Sequence, residues 1–85
     1  MTEDEIIDKA EALPEHFADR LTESVLWSVR QMRGGGEYGL LTIEIAASLA
    51  KHQTPVTPEE RDELQELLEA MSMPTDPIEQ LNVQA

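Results

Sequence analysis

Apolar residues recur every three or four positions along most of the chain, a spacing that predicts α-helices. The first such segment follows Thr2 and Glu5, which are spaced as a capping box. Pro14 lacks an amide hydrogen and is favoured only in the first turn of a helix, so it predicts that this helix breaks or restarts there. The apolar positions of the first helix are Ile6, Ile7, Ala10 and Leu13.

A second helix is predicted from Glu15 to Met32. It should end before residues 34–36, because three consecutive glycines lose too much backbone entropy to continue a helix. Trp27 falls off the main apolar stripe, although core packing is the favoured prediction for it and an interface anchor is the alternative. The stripe is formed by Phe17, Leu21, Val25, Ser28 and Met32, and is widened by Leu26 and Val29.

A third helix is predicted from Glu37 to His52, and it is apolar almost all the way round, which is typical of a central helix. A strand over residues 40–45 is the weaker alternative, since the pattern does not alternate. Glu44 is expected on one polar stripe with Ser48 and Lys51, facing solvent or paired with Lys51. The alternative for Glu44 is a buried carboxylate that takes part in acid–base chemistry.

The fourth helix carries the clearest start signal, with Thr57 as N-cap, Pro58 in the first turn and Glu60 closing a capping box. An extended linker over residues 54–56 precedes it. After Pro74, a second start signal predicts a short helical turn at residues 76–79. The sequence therefore predicts one all-α domain over residues 1–85, a small bundle of four helices with a short C-terminal helical turn. The buried stripe of the fourth helix is Leu64, Leu67, Leu68 and Met71.

Charge adds a second pattern to this helical one. The chain has 18 acidic and 6 basic residues, a net charge of −12. Residues 1–23 carry a net −6, residues 24–52 a net +1, and residues 53–85 a net −7. This excess argues against direct binding to nucleic acid or to an anionic membrane, since both require a basic surface. It favours a basic protein partner, or solubility alone.

The fourth helix concentrates this charge on one side, which makes it the candidate partner-binding surface. Its alternative is a solvated face that keeps a small protein soluble, and the acids of the first helix form a second candidate patch. Like charges spaced i, i+4 repel one another, so a basic partner would relieve a local cost. The predicted binding residues are Glu59, Asp62, Glu63, Glu66 and Glu69.

No combination of residues predicts catalysis. His16 and His52 fall in different helices without the spacing of metal ligands, and surface positions are predicted for both. The three glycines lack the Lys-Ser or Lys-Thr pair of a phosphate-binding loop. The sequence therefore predicts a protein that is not an enzyme and that has no cofactor or metal. The absence of cysteine, of a basic leader and of a membrane-length apolar run favours a cytoplasmic location.

Residues 36–71 contain Gly36-Glu37-Tyr38-Gly39-Leu40, then an apolar helix, then Pro55-Val56-Thr57 before an acidic amphipathic helix. This pattern resembles that of small bacterial helical proteins of the MafI-type immunity group. Where that group would have Ala-Leu-Glu after the leucine, this chain has Leu41-Thr42-Ile43 and its acid one place later. The offset rotates Glu44 by about 100° on a helix, so no role of that glutamate is carried over.

The resemblance implies a protein that binds and neutralises a toxin. Together with the charge, it predicts a small acidic partner-binding protein whose anionic surface occupies a basic partner, in concrete form an immunity protein that blocks a nuclease-type toxin. The alternative is a non-catalytic structural or assembly protein. In that case two copies would form a homodimer through apolar surface around Trp27 and the third helix, because two chains of charge −12 repel unless the contact is apolar.

Overall fold

A computed structural model describes residues 1–85 and confirms the all-α class, with four longer helices packed together. The helices are α1 (Glu3–His16), α2 (Glu23–Gly34), α3 (Tyr38–Lys51), α4 (Pro58–Ala70) and the short α5 (Asp76–Glu79); a 3₁₀ turn (Ala18–Arg20) joins α1 to α2, and the strands β1 (Pro55–Val56) and β2 (Asn82–Val83) flank α4 and α5. None of the helices combines the length and the apolar character needed to span a membrane.

The break between the first two helices lies later than Pro14 predicted. Pro14 is buried in the last turn of α1, which continues to His16. Helix α2 begins only after Thr22, whose hydroxyl accepts a hydrogen bond from the amide of Val25 at 3.2 Å. The prediction of a second helix starting at Glu15 was therefore wrong. A proline forfeits one hydrogen bond within a helix, and here burial of its ring against the core opposes that loss.

Helix α3 is the centre of the fold, as its apolar sequence predicted. It packs against α1, α2, α4 and α5. The predicted polar stripe was wrong at Ser48, which is buried, and the partly buried Glu44 makes no ion pair with Lys51. The buried side chains of α3 are Leu41, Thr42, Ile45, Ala46, Ser48, Leu49 and Ala50.

The start signals of α1 and α4 are confirmed. The signal at residues 76–79 does begin the short helix α5, but its N-cap is Thr75 and no side chain caps it. The glycine run ends α2 two residues later than the predicted Met32. Both capping boxes form, and in α4 the Thr57 hydroxyl accepts from the Glu60 amide at 3.1 Å while the Glu60 carboxylate accepts from the Thr57 amide at 2.9 Å. Helix α2 ends at Gly34, and Gly36 takes a left-handed φ of 72° that starts the turn into α3. Gly39 lets Met73 approach closely, because a Cβ there would lie 3.0 Å from its sulfur.

The predicted linker over residues 54–56 also forms a strand that the sequence did not predict. Strand β1 pairs in parallel with β2, with Pro55 beside Asn82 and Val56 beside Val83. The amide of Gln84 donates to the carbonyl of Val56 at 2.8 Å. Val56 is buried, so this pairing attaches the end of the chain to the core.

Trp27 does not join that core. It is 66% exposed, whereas Val29, two residues later, is fully buried. Residues two apart on a helix differ by about 200° in direction, so a helix that buries Val29 must turn Trp27 outward. The prediction that Trp27 packs in the core was wrong.

Candidate functional site

The five predicted binding residues form one continuous stripe on the outer face of α4. All of them are exposed, while Leu64, Leu67 and Leu68 on the opposite side of the helix are fully buried. With a rise of 1.5 Å per residue, the stripe from Glu59 to Glu69 is about 15 Å long. We call this surface the α4 stripe; its members are Glu59, Asp62, Glu63, Glu66 and Glu69.

The α4 stripe is almost without internal compensation. Asp62 pairs with the adjacent Arg61 at 3.0 Å, and that contact is the stripe's only ion pair. Neighbouring acids one turn apart, such as Glu59 and Glu63, therefore repel each other across solvent. The stripe can attract a cation or a cationic surface.

The chain's other arginines are engaged elsewhere in the fold. Arg20, which follows α1, donates from Nη1 and Nη2 to the two carboxylate oxygens of Glu60 at 2.9 and 2.7 Å. Its guanidinium also lies 4.7 Å from the centre of the Phe17 ring. This fork-like contact joins the α1–α2 connection to the start of α4.

Glu60 is the best-connected polar side chain of the protein. Besides Arg20, it accepts from His16 Nε2 at 2.6 Å and from the amide of Thr57 at 2.9 Å. The Arg20 hydrogen bonds are the main reason that the pKa of Glu60 is lowered to about 2, with smaller contributions from Thr57 and His16. Its side chain is only 13% exposed, so this carboxylate is structural and does not belong to the α4 stripe.

A second carboxylate, Glu15, joins α1 to α2 in the same way. Arg30 donates to it from Nε and Nη2 at 3.0 and 2.8 Å, and Arg33 Nη1 lies 3.3 Å away. The hydrogen bonds from Arg30 lower the pKa of Glu15. Three of the six basic residues are thus committed to two joints between helices, and the stripe acids Glu59, Glu63, Glu66 and Glu69 have no ion pair.

The sequence predicts only the capping role of Glu60, because its contacts with Arg20 and His16 join residues 40 and 44 positions apart. His16 lies at the end of α1, half-exposed, and contacts Glu60. His52 is exposed at the C-cap of α3. Both histidines thus occupy the surface positions that were predicted. No group of three or more metal-ligating side chains occurs.

Two concavities border α4. One lies between α1 and α4, measures about 60 Å³, and is lined by residues that include Lys9, His16, Phe17 and Glu63. The other lies between α4 and the C-terminal segment, measures about 280 Å³, and is lined by residues that include Arg61, Gln65, Ile78 and Val83. Ligand sites for small molecules are usually about 300–1,000 Å³, so the first is too small for such a ligand and the second lies just below that range. No protein-family model, curated protein or solved structure matches the chain, so the resemblance to the MafI-type group stays a prediction.

Proposed function

We propose that this protein is a small cytoplasmic binding protein, not an enzyme, whose α4 stripe occupies a basic protein partner. In its concrete form the proposal is an immunity protein that neutralises a nuclease-type toxin. The single observation that carries it is the stripe itself. Five exposed carboxylates share one face of α4 while the arginines that could have balanced them are held at joints elsewhere in the fold.

The spacing of the stripe supports a partner that normally binds nucleic acid. Five charges over about 15 Å of helix give one negative charge per ~4 Å along the axis. A single DNA strand presents one phosphate per roughly 3.4 Å of axis. A cationic groove built for phosphates therefore meets a similar linear charge density on α4, and a protein bound there excludes the nucleic acid.

The mechanism would be electrostatic. Complementary charge raises association rates from about 10⁵–10⁶ to 10⁸–10⁹ M⁻¹s⁻¹ at low salt. The effect is screened by salt, with a Debye length of about 8 Å at physiological ionic strength. Binding should therefore be fast at low salt and should slow steeply as salt is added.

The test neutralises the four stripe acids that have no ion pair, by Glu59→Gln, Glu63→Gln, Glu66→Gln and Glu69→Gln together. The matched control carries the same charge change at scattered exposed acids, by Asp19→Asn, Glu37→Gln, Asp76→Asn and Glu79→Gln. Removing like-charge neighbours should leave the stripe variant at least as stable as the wild type. Loss of binding therefore cannot be ascribed to unfolding.

Immobilised wild-type and control proteins should capture the same basic protein from lysate of the native host, and duplex DNA should displace it. The purified captured protein should associate with the stripe variant about 10–100-fold more slowly at low salt. It should also lose its nuclease activity on titration with the wild type. Capture of no basic protein, or equal association rates for the stripe and control variants, would contradict the proposal.

A further inference from the structure

The solvent face of α2 carries the chain's only tryptophan and almost no net charge. Trp27 is 66% exposed there, although tryptophan has one of the largest apolar surfaces of any side chain. The exposed positions of this helix recur every three or four residues, so they form one stripe opposite the buried Val29. We call this surface the α2 face; its members are Glu23, Ser24, Trp27, Arg30, Gln31 and Gly34.

We propose that the α2 face is the interface of a homodimer, in which the α2 helices of two copies lie antiparallel across a twofold axis beside Trp27. Glu23 and Arg30 are seven residues, or about two turns, apart and lie on either side of Trp27. An antiparallel pairing centred there sets Glu23 of each copy opposite Arg30 of the other. The same axis brings the two Trp27 rings together, so the face is complementary to itself, as a twofold interface requires.

The side chains of this face have free hydrogen-bonding capacity for that contact. Arg30 uses Nε and Nη2 to hold Glu15, while its Nη1 makes no hydrogen bond within the chain. The Glu23 carboxylate has no ion pair. Because Arg30 and Arg33 share the single carboxylate of Glu15, this cluster keeps a net positive charge that attracts Glu23 of the second copy.

Charge also explains why two copies of the chain would meet at the α2 face and not at another helix. Two chains of net charge −12 repel each other wherever their acidic helices meet. The exposed side chains of α1 and α4 are mostly acidic, whereas the α2 face has one acid and one base. The sequence predicted a homodimer through Trp27 and the third helix. The structure favours α2 for this contact, since half of the residues of α3 are buried and only three are exposed.

The dimer leaves the α4 stripe free. Helices α2 and α4 each pack against α1 and α3 and make little contact with each other. A 12-residue helix is about 18 Å long, so its face buries less area than a standard stable interface. We therefore expect a weak dimer, with a Kd on the order of 100 µM. This inference does not depend on the proposed function. Salt distinguishes the two contacts, because a dimer held by burial of Trp27 persists at high salt, whereas binding of a basic partner to the α4 stripe weakens.

Trp27 itself reports on the contact, since it is the only tryptophan. Its emission should shift to shorter wavelength as protein concentration rises towards ~1 mM, in parallel with dimer formation in sedimentation equilibrium. Trp27→Ala removes an exposed side chain, so the fold should persist while the dimer weakens at least about tenfold. Monomer at every concentration, or a Trp27→Ala dimer as tight as the wild type, would overturn the proposal.

A pair of charge reversals tests the register. Glu23→Arg and Glu69→Arg both change the net charge from −12 to −10 and so relieve the same overall repulsion. Only Glu23→Arg sets an arginine against Arg30 of the second copy, twice per dimer. Its Kd should rise about tenfold, while that of Glu69→Arg should stay equal or fall. Equal dimer affinities for the two variants would refute the antiparallel register.

Discussion

Replacing Glu60 by glutamine tests the contact that joins the α1–α2 connection to α4. Glutamine has almost the same shape and can still close the capping box with Thr57, because Gln serves at that position as well as Glu. The substitution therefore removes the negative charge and leaves the helix start intact. Arg20, whose side chain is only 27% exposed, keeps its weaker contacts with the carbonyl of Pro55 at 3.3 Å, with Asp19 at 3.9 Å and with the Phe17 ring.

The magnitude follows from the pKa of Glu60. That pKa is lowered from 4.5 to about 2 in the folded protein. Each unit corresponds to 1.36 kcal/mol, so the ionised carboxylate contributes on the order of 3 kcal/mol at pH 7. A chain of 85 residues has a total stability of about 4–13 kcal/mol. Glu60→Gln should therefore lower the melting temperature by roughly 10–20 °C.

The pH dependence has a defined sign. Because the pKa of Glu60 is lower in the folded state, the unfolded chain binds more protons between pH 4.5 and 2. The contribution of Glu60 is complete above pH 4.5 and is lost as the pH falls towards 2. The stability difference between wild type and Glu60→Gln should therefore be largest near pH 7 and should close towards pH 2.

Urea or thermal unfolding followed by circular dichroism at pH 7, 5, 4 and 3 measures that difference. The matched control is Glu59→Gln, one residue earlier in the same helical turn, where the carboxylate is exposed and has no ion pair. Glu59→Gln should change the free energy of unfolding by less than about 0.5 kcal/mol at every pH. Equal losses for the two variants at pH 7, or a gap that persists unchanged to pH 3, would refute this account of Glu60.

Three further stability predictions follow from paired positions or from the end of the chain, each measured by urea unfolding at pH 7. Gly36→Ala should lower the free energy of unfolding by about 1 kcal/mol because Gly36 has a left-handed φ. Gly34→Ala should not lower it, since there is open space around Gly34. Equal effects of the two substitutions would exclude backbone strain. Thr57→Ala removes the cap of α4 and should lower the free energy of unfolding by about 1 kcal/mol. The Thr75 side chain makes no capping hydrogen bond, so Thr75→Ala should change that free energy by less than about 0.5 kcal/mol. Deleting residues 82–85 removes β2 and the hydrogen bond to Val56, and it should lower the free energy of unfolding by about 1–3 kcal/mol. An unchanged urea midpoint would show that the β1–β2 pairing adds no stability.

Features encoded by neighbouring residues were predictable from the sequence. The capping boxes depend on residues three apart, and the end of α2 depends on a glycine run, so both could be identified locally. The central position of α3 followed from its lack of a polar face. The exposure of the α4 stripe followed from the leucines on the opposite side of the same helix.

Features that depend on distant residues were not predictable. Arg20 and Glu60 are 40 residues apart, and nothing near either residue indicates the other. The β1–β2 pair has only two residues in each strand, too few to show an alternating pattern. Pro14 and Trp27 depart from the general preferences of their residue types, because tertiary packing buries Pro14 within α1 and the direction of α2 turns Trp27 outward.

The placement of the arginines is more informative than the net charge. A protein selected only for solubility could scatter its six basic residues among its acids, since that arrangement also reduces repulsion along α4. Here Arg20, Arg30 and Arg33 bind Glu60 and Glu15 at the joints around α1. The consequence is one nearly neutral helix face on α2 and one acidic face on α4 with a single ion pair, with α1 and α3 packed between them. A dimer formed through the α2 face would carry two copies of the α4 stripe. A partner with two basic surfaces would therefore bind the dimer more tightly than the monomer.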